Sequence, residues 1–230
     1  MKTPKKIYLK DYTPPAFFVD QTDLTFEIKK DHTQVTSKLK IRKNKAVADK
    51  TTSLVFDKGP YDIVSVIADG MVLLPHEYEA DKDFFKLIKT PDVFNLEITN
   101  LLTPHKNTSL EGLYKSGSIL CTQCEPQGFR KITPFPDRPD VMAKYSCTII
   151  ADKIQYPVLL SNGNRVKSGN LDNNRHFVKW EDPFKKPSYL FALVAGDIAH
   201  IEDHFITRSG RKVDLKIYSE KENIDKCDHA

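Results

Sequence analysis

Gln34-Val35-Thr36-Ser37-Lys38-Leu39-Lys40-Ile41 is the stretch that sets the fold class. Val35, Ser37, Leu39 and Ile41 alternate with polar neighbours at period two, the repeat of a strand with one face in the core and one in water. Asp31-His32 before it and Asn44-Lys45 after it are turn-like. Working outward, Ile63 to Ile67, Asp69-Gly70 and Met71 to Leu73 read as a hairpin, because Asp-Gly supplies the positive φ angles a tight turn needs. Phe84 to Ile88 and Val93 to Ile98 are two more β-forming runs, divided by Thr90-Pro91-Asp92. No long 3.6-residue stripe interrupts this half. Short strands at intervals of about ten residues predict an all-β chain, an antiparallel β-sandwich or saddle.

The second half reads the same way. Residues 112–120 form a strand opening on Gly112, and Tyr145 to Ala151 another. Val158 to Ser161 ends in a Gly163 turn, and Asp172-Asn173-Asn174 is a hairpin tip leading into His176 to Trp180. Tyr189 to Ala195 is an apolar strand closed by Gly196-Asp197. Arg138 to Ala143 is either one helical turn or an extended turn. Past Asp197 the pattern changes: Ile198 to Ile206 and Lys212 to Tyr218 form a hairpin about Ser209-Gly210, and Glu220 to Ala230 starts like a helix with no stop signal. The expected division is a domain over 1–197 and the start of a second, truncated one over 198–230.

Of the 230 residues, 40% are hydrophobic and 29% charged, an ordinary globular balance. The net charge of +4 comes from basic and acidic residues interspersed along the chain, which argues against nucleic acid as a partner. The lysines from Lys2 to Lys10 read as a solvated terminus. No apolar run is long enough to span a bilayer, and no apolar segment follows the N-terminal lysines as a signal peptide requires. Asn107-Thr108-Ser109 fits a glycosylation acceptor only if the chain is exported. The expectation is a cytoplasmic protein, without membrane contact, whose four cysteines are thiols.

The chemistry concentrates in Cys121-Thr122-Gln123-Cys124-Glu125, continuing through Gly128-Phe129-Arg130 to Asp137-Arg138-Pro139-Asp140. A carboxylate and a carboxamide seldom sit in an apolar strand without a partner or a task. For Glu125 the plain alternative is a salt bridge to Arg130 or Arg138. Cys121 and Cys124 have Cys-x-x-Cys spacing, but zinc needs four ligands and a second pair is missing. In an extended segment the two thiols face opposite ways, so buried structural thiols are the expectation. His200-Ile201-Glu202-Asp203-His204 has its glutamate one place too late for a His-Glu-x-x-His helix, and His76-Glu77 has Ala80 where the second histidine belongs. No metal site is expected in this chain, and no phosphate loop or Gly-x-Ser-x-Gly elbow occurs.

Gly112-Leu113-Tyr114, Cys121 to Glu125, Gly128-Phe129-Arg130, Asp137 to Val141, Leu160 to Asn164, Trp180 to Phe184 and Tyr189 to Asp197 occur in this order. Together they resemble the N-terminal part of the bacterial aminopeptidase N family, zinc-dependent gluzincin aminopeptidases. The chain departs from the family pattern at Pro126, Gln127 and Pro134-Phe135-Pro136. The family's Gly-Ala-Met-Glu-Asn strand and His-Glu-x-x-His helix are not in this sequence. The resemblance implies a zinc metalloaminopeptidase that removes single N-terminal residues from peptides. It also implies that 198–230 begins a thermolysin-like catalytic domain, which would hold the zinc and the catalytic residues. No catalytic residue and no zinc is then expected in this chain, and the chain alone is expected to be inactive. Glu125 matches the carboxylate that holds the substrate α-amine, and Gln123 the amide that contacts the first substrate residue. The implied partners are peptides with a free N-terminus and the chain's own downstream domain. The alternative from another class is a free-standing β-sandwich that binds peptides or proteins without catalysis.

Overall fold

The computed structural model describes residues 6, 8–47 and 53–228. The strands in the first half are β1 Phe17–Ile28, β2 Thr33–Lys43, β3 Leu54–Asp57, β4 Asp62–Ala68, β5 Met71–Val72, β6 Tyr78–Ala80, β7 Phe84–Leu87 and β8 Val93–Leu102. Those in the second are β9 Gly112–Ser116, β10 Ile119–Gln123, β11 Met142–Asp152, β12 Val158–Ser161, β13 Asn164–Asn170, β14 Arg175–Pro187, β15 Leu193–Gly196, β16 Ala199–Ile206 and β17 Lys212–Ser219. They form an eight-stranded sheet in the order β13-β14-β11-β1-β2-β8-β4-β5 and a four-stranded sheet β12-β15-β10-β9. A three-stranded sheet β3-β7-β6 and the two-stranded β16-β17 ribbon complete the set. The expected all-β, largely antiparallel architecture is what the chain adopts. Within it, the β1–β11 pair at the centre of the long sheet is parallel.

Alternation decides which face is inside. In β2, Val35, Leu39 and Ile41 are buried, together with Ser37. In β1 the inward set is Phe17 and Val19, then Thr22, Leu24, Phe26 and Ile28, a spacing of three where two is the rule. A bulge between Val19 and Gln21 absorbs the extra residue, so the later positions regain the core side. The hairpin at Asp69-Gly70 has both residues at positive φ (46° and 83°), as its sequence predicts.

Two strands differ from expectation. Residues 112–120 are not one strand but the β9–β10 hairpin, turned at Gly117 with φ +56°. Glycine takes that angle without the Cβ clash other residues meet. In the second, Tyr189 to Ala195 starts as a 3₁₀ turn over Ser188–Leu190, and the strand itself is confined to Leu193–Gly196. The turn places Phe191 in the core, stacked on Phe26 with ring centroids 5.8 Å apart. The terminal run beginning at Glu220 is a 3₁₀ helix, Lys221–Cys227; the last two residues of that run lie outside the described residues, as do Lys2 and Lys5 of the N-terminal lysines.

Between the sheets lies the segment from Phe129 to Phe135. Phe129, Ile132 and Phe135 are fully buried. Phe129 packs edge-on against Phe135 and Phe191, at 4.9 and 5.5 Å between centroids. Aromatic edge contacts at this range add to the stabilisation from burial itself. The polar residues inside the long sheet serve this segment. Asn100 Nδ2 donates to the Ile132 carbonyl (2.9 Å), and Ser37 Oγ pairs with Thr133 Oγ1 (2.9 Å). The Ile132 carbonyl and the Ser37 and Thr133 hydroxyls, which leave water on the inner face, are thereby hydrogen-bonded, whereas the Thr22 and Tyr145 hydroxyls are buried without a partner among the described residues.

Candidate functional site

The site begins where β10 runs out. Its partner β9 sets Gln123 opposite Gly112, and on the other side Cys121 lies opposite Val194 of β15. Thr122 fixes that second seam, its Oγ1 accepting the Leu193 N–H at 2.8 Å. The period of two then turns Gln123 and Glu125 outward and Cys124 inward. Both Gln123 and Glu125 are exposed, whereas Cys124 is 3% exposed. Residues 125–128 form a turn closed by the Gly128 N–H to the Cys124 carbonyl (2.8 Å), with Glu125-Pro126 cis. Gln123 Nε2 donates to the Glu125 carbonyl at 3.1 Å, which ties the two outward residues together.

Among the described residues the Glu125 carboxylate makes no ion pair. The two arginines that offered one are engaged elsewhere. Arg138 forms a fork on Asp140, with Nη2 to Oδ2 at 2.6 Å, and donates to the Thr13 carbonyl. That hydrogen bond, with the Arg138 charge, holds the Asp140 carboxyl below the usual carboxylate range. Arg130 is held still more completely. Its Nε and its backbone N–H both reach Asp137 Oδ2 at 3.1 Å, Nη1 reaches Asp57 Oδ1 at 3.0 Å, and Nη2 reaches the Asp137 carbonyl at 3.2 Å. Ser188 Oγ donates to the other Asp137 oxygen at 2.5 Å. The Asp137 side chain is 1% exposed. Burial raises the pKa of Asp57, against the pull of the Arg130 charge. This cluster joins β3, the buried aromatic segment and the turn before β15 directly behind the Glu125 turn. Asp137 and Arg130 lie in the stretch singled out from sequence; Asp57, 73 residues from Arg130, carries no local signal.

Gly128 is held by space, not by its backbone angle. Its φ is −83°, open to any residue. A Cβ there would stand 2.2 Å from the Gln123 carbonyl oxygen and 2.9 Å from Cys124 Cα. Only glycine lets the turn fold back this tightly on the end of β10.

The thiols are all free. Burial pushes the Cys124 thiol far up, and the Cys147 thiol up to about 12, so neither supplies a thiolate near neutrality. Cys121 is only half-buried and lies opposite Tyr114 on β9. His200 and His204 lie on strand β16, not on a helix; His200 Nε2 is 2.7 Å from Glu202 Oε1. Among the described residues no three His, Cys, Asp or Glu side chains gather at one point. The donors present therefore do not fit a zinc ion, which takes three protein ligands even in an open catalytic site.

Comparison with known proteins comes down on one family. The model of the peptidase M1 N-terminal domain matches residues 18–190. Aminopeptidase N of Haemophilus influenzae is 45% identical over 227 residues, covering 98% of this chain and 26% of that protein. Aminopeptidase N of Escherichia coli is 44% identical over 227 residues, with 99% and 26% covered. The chain thus spans about a quarter of the length of these curated relatives. Among solved structures, Legionella pneumophila aminopeptidase A in complex with aspartic acid superposes with a TM-score of 0.91 at 36% identity, over 96% of this chain and 26% of that one. An M1 zinc metallopeptidase of Deinococcus radiodurans, bound to a Tyr-Ser-Ala substrate, shares the fold at 13% identity, with a TM-score of 0.72 over 90% of this chain and 48% of that one.

Proposed function

Because the chain belongs to the peptidase M1 N-terminal domain family, we propose that it is the amine-reading part of a zinc aminopeptidase that removes one residue at a time from peptides with a free N-terminus. The carrying observation is Glu125: an exposed carboxylate, with no cation paired to it among the described residues, on a turn braced from behind by buried groups. A peptide α-ammonium, with a pKa of about 8, is mostly charged at neutral pH and is the natural partner of such a group. When a covering domain excludes water, the attraction strengthens as the effective dielectric falls. Held at its amine, the substrate presents its first peptide carbonyl at a fixed distance, which is orientation as much as affinity. Gln123, tied to the Glu125 backbone, stands on the same side to contact the first residue.

The zinc belongs to the reading of the complete enzyme. Its ligands would come from a downstream catalytic domain, for which 198–230 is the start after a boundary near Asp197. Residues of this chain bind and orient the substrate; they transfer no proton. The setting is cytoplasmic, and the 230-residue chain by itself is inactive.

In a polypeptide that continues this chain into an active enzyme, Glu125→Gln should lower kcat/KM for aminoacyl substrates at least tenfold, about 1.4 kcal/mol of transition-state binding. The unfolding midpoint should stay in place, because the carboxylate supports nothing in the fold. Unaltered kinetics in that variant would overturn the assignment.

A further inference from the structure

A cleft lies between strands β12, β13 and β14 and the β16–β17 ribbon, with a volume of about 650 Å³. This lies within the range of small-molecule sites. Its wall carries Arg165, Lys216 and His200, and no carboxylate side chain lines it. The Arg165 guanidinium makes no hydrogen bond or ion pair among the described residues. It stands close enough to Lys216 for the two positive charges to act against one another. Glu202, outside the cleft, is shared by Lys216 (2.5 Å) and His200 (2.7 Å) and so offsets one charge of the group, leaving that of Arg165.

The backbone presents Arg165 here by a departure from regular pairing. Arg165 lies opposite Trp180, Lys167 opposite Lys179, and Val166 is the extra residue of a bulge between them. Bulges re-aim side chains and recur beside binding sites. Trp180 and Tyr218 supply flat apolar surface in the same cleft. Trp180 is fixed by its Nε1 donating to the Leu159 carbonyl (3.2 Å), and the Tyr218 ring lies 5.0 Å from that of His200.

We propose that this cleft is a binding site for a small organic anion: a phosphate or carboxylate engaged by Arg165 and Lys216, on a planar or apolar body that lies against Trp180 and Tyr218. Guanidinium pairs with either group in two-pronged fashion. The aromatic surface and the volume call for more than a bare inorganic ion. Nothing in this inference depends on the role of Glu125.

The chain has one tryptophan, so its fluorescence reports this cleft directly. The 230-residue chain is titrated at millimolar concentrations with adenosine monophosphate, for phosphate, and with N-acetylphenylalanine, for carboxylate. The uncharged adenosine and N-acetylphenylalanine amide serve as counterparts. A saturable change with at least one anion, absent with its counterpart and weakened at least tenfold by Arg165→Gln, is expected; which anion saturates identifies the source of the charge. The Arg165 side chain is exposed and makes no hydrogen bond or ion pair among the described residues, so the variant should keep the parent's unfolding midpoint. No saturable change with either anion, equal binding of the uncharged counterpart, or binding indifferent to Arg165→Gln overturns the proposal.

Discussion

Replacing Arg130 with alanine is expected to lower the unfolding free energy by about 3–5 kcal/mol, the range for removing one member of a buried ion pair. The number follows from what is left behind. Asp137, with a side chain 1% exposed, would be left buried with only the Ser188 hydroxyl as a side-chain donor. The Asp57 arm contributes less, because that carboxylate is 38% exposed and solvent screens it. Arg130→Lys should recover only part of the loss, since an ammonium replaces the fork that spans Asp57 and Asp137 with a single point. Denaturant titration measures both variants. A loss below about 1 kcal/mol for Arg130→Ala would place the cluster with ordinary surface pairs and remove it as the brace behind the Glu125 turn.

Gly128→Ala should cost about 1–3 kcal/mol or more by overpacking, although the change adds one carbon at an ordinary backbone angle. The new Cβ, 2.2 Å from the Gln123 oxygen, has backbone on both near sides and no flexible side-chain end to push away. Something must move, and the nearest movable part is the end of β10 with Gln123 and Glu125. In the complete enzyme the loss in kcat/KM should therefore be smaller in a Glu125→Gln background, the mark of two residues acting through one contact. Additive losses would mean the turn does not set the position of Glu125. Gly117→Ala is the contrasting control: φ is +56°, nothing lies within 4 Å of the added carbon, and the cost of about 1–2 kcal/mol comes from left-handed strain alone.

The class of fold and many of its turns follow from short-range patterns along the chain. Alternation in Val35 to Ile41, the Asp69-Gly70 turn and the Ser209-Gly210 hairpin all act over a few residues, where steric preference and the two-residue repeat are enough. The sequence also brought Gln123, Glu125, Arg130 and Asp137 into one stretch. It left open which groups Arg130 and Arg138 would choose, and it ran the β9–β10 hairpin together as a single strand because Gly117 sits among residues that suit either reading. That β1 and β11 run parallel, and that Asp57 closes on Arg130 from 73 residues away, emerges only in the packed fold. Only it showed that Glu125 is left facing solvent while both nearby arginines are satisfied elsewhere. The reason is physical: pairing between distant charges depends on which faces the packed sheets bring together, and no spacing along the chain encodes that.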